Sequence, residues 1–276
     1  GVGHILVVPY FTTQGTNKTL LNIVNTDQTN GKAVKLRYRG AANSDDVFDI
    51  TVYLSPGDVW TADVAADADG FSRLVTTDNS CTLPSAQEIK DANNGRFKTH
   101  RVQNGDKAQT REGYLEILNT ADVPSGIDLY TAIKHVDGKA PCTQSVMDLQ
   151  ETDLALDGSD AVARGYSNPT GGLMANWVVV NVEGFASHSG EAVAVRANNA
   201  SGASAAGNIV WFPQTTPTPV YPAAPADATA YTADPLLTSA GFVSQGANYD
   251  FPDLSTPSTA ALGATAAAAQ ADLLTA

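Results

Sequence analysis

Short stretches of strand-forming residues alternate with turn-forming sequences early in the chain, and this pattern limits the fold more than any other feature. Apolar and basic side chains alternate through Ala33–Arg39, which is typical of a strand with one buried face and one face in water. Asn30-Gly31 before this stretch and Ser55-Pro56-Gly57-Asp58 after the next one are turn signals. The pattern predicts strands at Thr19–Asn25, Ala33–Arg39, Val47–Leu54 and Val59–Val64. Strands this short and closely spaced indicate a mainly β fold, an antiparallel β-sandwich that is either Ig-like or jelly-roll-like.

The rest of residues 1–197 continues this predicted sandwich domain. Later candidate strands are Gly113–Asn119, Ile127–Ile133, Trp177–Val182 and Ala192–Arg196. Residues 80–112 interrupt the rhythm, because they are polar and hold much of the positive charge of the chain. We expect a long loop excursion here, with at most one short helix near Ser85–Ala92.

A change of composition separates residues 198–276 from the rest. This segment has no Lys, Arg, Glu, His or Cys and holds 8 of the 14 prolines. Its Pro-, Ala- and Thr-rich sequence is typical of extended backbone, although a disordered tail would contain few aromatic residues. We therefore expect an extended second region that packs over its own domain or over a neighbouring subunit, with Trp211 and Tyr221 among the contacts.

Acidic residues outnumber basic ones by 29 to 16, which gives a net charge of −13. Binding to DNA or RNA needs a basic surface, so this charge excludes nucleic acid as a partner. An acidic surface also repels anionic lipid unless divalent cations bridge the two. The sequence contains no apolar run long enough for a transmembrane helix.

The two cysteines, Cys81 and Cys142, lie among turn-forming residues and lack the spacing of a metal site or a CxxC redox motif. One disulfide bond and two buried thiols are the alternatives, and the turn-forming surroundings favour the disulfide. A disulfide implies an oxidising compartment. We therefore expect an exported protein whose signal peptide has been removed, with Gly1 as the mature N-terminus.

Calcium is the cofactor for which the sequence offers the best ligands. Asp67 and Asp69 precede Gly70 in a D-x-D-G pattern, and Asp63 lies shortly before them. Ca²⁺ takes about six to eight oxygen ligands, and this pattern supplies carboxylates together with a tight turn that frees carbonyl groups. No Glu closes the loop as it would in an EF-hand. The alternatives are a calcium site at these aspartates and a plain solvated turn.

Established catalytic motifs are absent from the sequence, which has no GxSxG, HExxH, P-loop or dinucleotide-binding glycine pattern. Asp45-Asp46, Glu116 and Glu183 could in principle supply the carboxylate pair that a glycoside hydrolase needs. We expect no enzymatic activity and keep a secreted hydrolase as the least favoured alternative. Two N-x-S/T sequons, at Asn17 and Asn199, are candidate glycosylation sites.

Several stretches between residues 5 and 135 stand out as specific: ILVVPYFTTQ, TLLNIVNTD, GKAVKLRYRGAANSDDVFDITVYLSPGDVW, DNSCTLP and TREGYLEI. They resemble secreted cell-surface proteins of Gram-negative bacteria, some of which are surface-layer (S-layer) subunits. The resemblance implies export, a β-rich fold and a structural role. It supplies no catalytic residues, and the C-terminal region has no counterpart in it.

These observations favour a structural protein that self-assembles into an extracellular lattice or filament, so that its main partner is another copy of itself. Outer-membrane lipopolysaccharide or another surface glycan is a further candidate partner. The apolar stretch Ile5–Phe11 could add to the sheet of a neighbour, but we favour a central strand of its own sandwich. The candidate assembly residues are Ile5, Val7, Tyr10, Phe11, Trp211 and Tyr221. The main alternative is a monomeric adhesin or carbohydrate-binding surface protein.

Overall fold

The computed structural model describes residues 1–211, apart from 43, 45, 100, 101, 103, 104 and 153–157, and also residues 258–259. Most of the predicted C-terminal region, Tyr221 included, lies outside the described residues. The strands are β1 (Ile5–Thr12), β2 (Asn17–Asn25), β3 (Gly31–Gly40), β4 (Asp46–Leu54), β5 (Val59–Ala66), β6 (Ser72–Val75), β7 (Cys81–Leu83), β8 (Glu112–Val123), β9 (Leu173–Asn181), β10 (Ala186–Glu191), β11 (Val193–Val195), β12 (Val210–Trp211) and β13 (Ser258–Thr259). The helices are α1 (Ala86–Asn93), α2 (Asp128–Ile133), α3 (Gln144–Thr152) and α4 (Gly158–Ala163), with a 3-10 helix at Lys107–Thr110.

Two antiparallel sheets pack face to face and form a sandwich, which confirms the predicted fold class. The six-stranded sheet has the order β11-β1-β8-β3-β4-β7. The five-stranded sheet has the order β10-β9-β2-β5-β6. The short pair β12–β13 stands apart from both sheets. In the described part of the chain, no helix is long and apolar enough to cross a bilayer.

The core lies between the sheets, and the alternation along β3 shows how the sequence builds it. The side chains of β3 in this core are Val34, Leu36 and Tyr38. The intervening basic residues lie on the other face, which we expected in water, yet Lys35 is fully buried and Arg37 nearly so. Lys35 pairs with Asp49, and Arg37 lies 3.0 Å from Asp46. The neighbouring strand β4 thus supplies the carboxylates that make burial of these cations tolerable.

One predicted strand is wrong, because most of Ile127–Ile133 forms helix α2. A short apolar run fits either element, and only its surroundings decide between them. The buried residues of α2 are Leu129, Ala132 and Ile133. Their spacing matches one helical face, which packs against Val123 and Tyr53 on the outer side of the six-stranded sheet.

The excursion at residues 80–112 contains more ordered structure than its polar sequence suggests. The predicted short helix is confirmed as α1, where Ser85 and Glu88 form a capping box. After α1 the chain pairs with the edge of the five-stranded sheet. The N–H of Leu74 donates to the carbonyl of Gly95 (2.9 Å), and the N–H of Phe97 donates to that of Ser72 (2.8 Å).

The apolar N-terminal stretch forms β1, which lies inside the six-stranded sheet between β8 and β11. This confirms the intramolecular alternative, since both edges of β1 have partners in the same chain. Phe11 is in the core, where its ring makes edge contacts with Tyr38 and Phe97 at centroid distances of 5.3 and 5.9 Å. The apolar character of this stretch therefore reflects full burial of its core-facing residues, such as Leu6, and half-burial of the other face at Ile5.

A disulfide bond joins Cys81 in β7 to Cys142 in the segment after α2, as the sequence predicted. The two residues are 61 positions apart. The bond fastens the edge of the six-stranded sheet to the helices on its outer side. Because the loop it closes is long, the bond removes considerable chain entropy from the unfolded state.

We predict that the double variant Cys81→Ala, Cys142→Ala unfolds with a free energy lower by about 4 kcal/mol, the value the chain-entropy relation gives for a loop of this length. Equilibrium unfolding in urea with and without reductant tests this. Reductant should lower the unfolding free energy of the original protein to that of the variant. It should not change the unfolding free energy of the variant. A variant as stable as the original protein would contradict the prediction.

Candidate functional site

The turn between β5 and β6 holds two of the aspartates predicted as calcium ligands. Asp67 accepts backbone N–H groups from Asp69 (2.9 Å) and Phe71 (3.0 Å), which fix the shape of the turn. Arg96, which follows α1, lies with its Nε 2.5 Å from the Asp67 carboxylate and also contacts the Asp69 carboxylate. Both carboxylates therefore already have a cationic partner in the same chain.

Two further basic side chains from the excursion close over this turn. Lys107 donates to the carbonyl of Asp69, and Arg111 donates to that of Gly70 at 2.7 and 2.9 Å. Burial opposes ionisation of Asp67, but hydrogen bonds from Phe71 and Arg96 outweigh it and lower the pKa of this carboxyl below its ordinary value. The sequence showed that the excursion is basic, but it did not show that these basic residues bind the turn between β5 and β6.

The third predicted ligand, Asp63, is placed elsewhere. It lies in the middle of β5, between Leu20 of β2 and Val75 of β6, beside a groove on the outer face of the five-stranded sheet. No cluster of three or more His, Cys, Asp or Glu side chains suited to a metal occurs among the described residues. Calcium binding stays a prediction, and an ion at Asp67 and Asp69 would compete with Arg96.

The lowered pKa of Asp67 predicts how stability depends on pH. The ionised carboxylate stabilises the fold above the pKa of the unfolded state, near 3.8, and this contribution is lost as the pH falls through the lower folded-state pKa. Asp67→Asn should therefore be less stable than the original protein at pH 7, and the difference should shrink toward pH 2. Urea unfolding at several pH values measures this, with the exposed Asp137→Asn as the control. A difference in unfolding free energy between Asp67→Asn and the original protein that does not change with pH would contradict this prediction.

A second charge cluster lies fully inside the molecule, at one end of β3 and β8. The Lys32 ammonium is 2.8 Å from the Asp122 carboxylate, and both side chains are excluded from water. Asp122 also accepts from the side-chain amide of Asn119 (2.9 Å) and the N–H of Thr170 (3.1 Å). These bonds tie the segment that precedes β9 to the six-stranded sheet, so the cluster has a structural role.

Removing one member of a buried ion pair leaves the other charge uncompensated, which costs about 3–5 kcal/mol. We predict a loss of that size in the unfolding free energy of Lys32→Met, measured by urea denaturation. Lys18→Met, on an exposed position of β2, is the matched control and should change stability by less than about 0.5 kcal/mol. Equal effects of the two substitutions would contradict the structural role of Lys32.

The carboxylates considered for a hydrolase do not form an open pair. Asp46 and Glu116 both contact Arg39, at 3.7 and 3.2 Å, and each also pairs with Arg37. Burial disfavours the Arg39 charge, but Asp46 and Glu116 outweigh this effect and raise the pKa of the guanidinium. Glu183 is on an exposed hairpin tip. The arrangement of Asp46 and Glu116 is that of a cross-strand salt-bridge network.

A serine, an aspartate and a histidine come together near the end of β4, which the sequence did not predict. Ser55 Oγ is 3.1 Å from His135 Nδ1, and Asp58 Oδ2 is 3.3 Å from the same nitrogen. In a catalytic triad the serine and the carboxylate contact opposite nitrogens of the imidazole. Ser55 Oγ also donates to Asp58 at 3.2 Å. The group closes a turn and does not have triad geometry.

The edge strands on the two sides of the sandwich differ in length and in how far other segments cover them. On one side, residues 95–97 cover the edge of β6, while β7 is three residues long and is followed by Pro84. Short strands, covering segments and proline are the usual means by which sheet edges avoid pairing with other chains. We call this side the protected side.

The opposite side consists of β10 and β11, which end the five-stranded and six-stranded sheets respectively. We call it the open side. A single stretch of chain forms both edges, because only Ala192 separates the two strands. Ala186–Gly190 carries no formal charge and contains neither Lys nor Pro. β10 is exposed along almost its whole length, and no further strand among the described residues pairs with its outer edge.

Exposed apolar side chains flank β10 at both ends. Phe185, at the tip of the β9–β10 hairpin, is 97% exposed, and Val182 on the same tip is 58% exposed. Val193, just beyond β10, is 61% exposed. Phe185 also adopts a positive φ of 50°, a conformation that bulky residues rarely adopt. Exposed apolar surface thus lies at both ends of β10.

The outer face of the five-stranded sheet carries a shallow groove of about 400 Å³. Its lining includes the apolar Leu20 and Val178 and the polar Asn22, Asn176 and Asp63. The Asn176 amide lies 3.4 Å from the Asn22 side-chain oxygen. Polar amides above an apolar floor suit a small polar ligand such as a sugar, although no aromatic ring lines this groove.

The other predicted contact residues are distributed over the molecule. Ile5 and Val7 are half-buried in β1, and Tyr10 is 41% exposed, with its hydroxyl 3.0 Å from Glu112. Trp211 lies in β12. Their assembly role stays a prediction. The open side was not predicted, since β10 has little apolar character of its own and its exposure depends on the tertiary fold.

The two sequon asparagines lie in different settings. Asn17 begins β2 and is half-buried, opposite Asn181 of β9. Asn199 is exposed, and its side-chain oxygen accepts N–H groups from Ser201 (3.0 Å) and Ala203 (3.0 Å), which closes a turn. Glycosylation at either position stays a prediction, and Asn199 is the more accessible of the two.

No protein-family model matches the chain, and neither a curated protein nor a solved structure is significantly similar to it.

Proposed function

We propose that this chain is a non-enzymatic structural protein that is exported and self-assembles into an extracellular lattice or filament on a bacterial surface. The observation that carries the proposal is the open side. It presents two adjacent sheet edges and an exposed Phe185, whereas the edges on the protected side are covered or short. A protein that functions as a monomer would need to block such a side.

The disulfide and the charge arrangement support the same proposal. A disulfide between Cys81 and Cys142 is stable in an oxidising compartment, in agreement with export. The charge clusters at Arg96, Lys32 and Arg39 form ion pairs with neighbouring strands and turns, which suits mechanical and thermodynamic stability. The resemblance to surface-layer proteins is further support for export and assembly.

A monomeric adhesin is the second candidate, and the groove beside Asn22 and Asn176 favours it. A surface glycan such as the saccharide part of lipopolysaccharide is the ligand class that its amides and apolar floor suit. An adhesin would be retained on a glycan array and would not self-associate. Asn176→Ala would then abolish retention without changing the oligomeric state.

The proposal predicts concentration-dependent self-association of the purified chain. Sedimentation velocity over a concentration series, followed by electron microscopy of the largest species, should show ordered lattices or filaments. The same samples with millimolar calcium and then with a chelator test the metal prediction. If chelator disperses the assemblies of the original protein but has no effect on those of the Asp67→Asn, Asp69→Asn variant, calcium acts through this turn.

Single particles at all concentrations, with and without calcium, would overturn the assembly proposal. Retention on a glycan array by such monomers would then favour the adhesin. Turnover of a glycoside substrate that is lost on neutralising Asp46 or Glu116 would instead establish a hydrolase.

A further inference from the structure

We infer that β10 is the assembly interface and that it pairs antiparallel with β10 of a second copy about a two-fold axis. The two five-stranded sheets would then become one continuous ten-stranded sheet. This inference rests on the proposed self-assembly and adds the strand, the partner and the geometry.

The backbone of β10 has hydrogen-bonding groups directed away from its own sheet. Ala192, at the end of the strand, donates its N–H to the carbonyl of Ala175 at 2.9 Å. Residues along an antiparallel strand alternate between bonding to one neighbour and facing the other side. The N–H and C=O groups of Ser187, Ser189 and Glu191 therefore face outward, and β10 is the last strand of its sheet in the described part of the chain.

The placement of the apolar side chains suits an antiparallel copy as the partner. Val182 and Phe185 lie before β10, whereas Val193 and Val195 lie after it. Antiparallel pairing of two identical strands brings the start of one against the end of the other. With Ser189 on the two-fold axis, Phe185 of each copy comes level with Val193 of the other. Parallel pairing would also align apolar residues, but parallel ladders are slightly less stable per residue than antiparallel ones.

Side-chain sizes also match in this register. Ser187 faces Glu191, and His188 faces Gly190. The Trp177 ring lies against Gly190, where an added side chain would meet it at about 3.0 Å. Glycine at this position therefore accommodates the Trp177 ring of the same chain.

Two-fold pairing is self-limiting along the sheet, because it uses both β10 edges and creates no new edge. A lattice or filament needs a second contact, for which the other exposed surfaces of the sandwich are available. The β10 pair is therefore expected as the dimer from which larger assemblies grow.

A single cysteine at position 189 tests the geometry directly. Residues directly opposite in a hydrogen-bonded antiparallel pair have Cα atoms about 5.5 Å apart, which is within the range that a disulfide bridges. Ser189→Cys in the full chain should form a covalent dimer under mild oxidation, since the native cysteines already pair with each other. Ser125→Cys, at an exposed turn, is the matched control and should remain monomeric on a non-reducing gel.

Two substitutions test the energetics by sedimentation velocity. Ser189→Pro removes an outward N–H, which an edge strand tolerates, and should weaken self-association at least about tenfold. Ser189→Ala keeps the N–H and should leave self-association unchanged.

Phe185→Asn introduces a residue that accepts positive φ, and it should weaken self-association about tenfold to a hundredfold. Leu149→Asn, on an exposed position of α3, is its control. Circular dichroism and the unfolding midpoint verify that each variant is folded.

The outcomes separate this inference from the proposed function. If the original protein assembles, but Ser189→Cys does not cross-link and folded Ser189→Pro and Phe185→Asn assemble normally, β10 is not the interface and the proposed function stands. If the original protein is monomeric at every concentration and Ser189→Cys forms no dimer, the proposed function and this inference both fail. Cross-linking at position 189 together with weakened assembly of both folded variants supports the two-fold β10 pair.

Discussion

The backbone hydrogen bonds of the sheet edges are the constraint on which the other features of this molecule depend. Inner strands satisfy their N–H and C=O groups within the sheet, but an edge strand keeps half of them directed outward. On the protected side, the segment after α1 and the short β7 resolve this problem. On the open side, no further strand among the described residues pairs with β10, and the proposed assembly depends on this asymmetry.

Much of the fold could be predicted from the sequence because alternation reports which face of a strand is buried. The alternation correctly located β3, β4 and β5 as strands, and β1 is recognisable as a strand from its apolar run. The failure at α2 has a physical cause, since seven residues are too few to distinguish a period of 2 from one of 3.6. The covered outer face of β3 was also missed, because burial of Lys35 depends on a carboxylate from a strand that follows later.

The candidate site was less predictable because exposure is a property of the tertiary fold. Phe185 in the sequence looks like any apolar residue, and only the hairpin between β9 and β10 places it in water. The acidic turn is the converse case. Asp67 and Asp69 look like metal ligands in isolation, but Arg96 from a separate segment lies against both carboxylates. For the acidic turn, the deciding partner lies 27 to 29 positions away in sequence, where neither spacing nor composition reveals it.

A strand that recruits another chain must itself be held in place, because any ordering it undergoes on binding reduces the affinity. β10 meets this condition through β9, which pairs with β2 along nine consecutive residues in the interior of the sheet. The hairpin tip is fixed as well, since Asn181 accepts the N–H of Gly184 at 2.6 Å. The Phe185 side chain is therefore presented by a rigid turn at the end of a rigid strand. Because β1 is bonded on both edges while β10 is the last strand of its sheet among the described residues, β10 is the strand on which the proposed pairing depends.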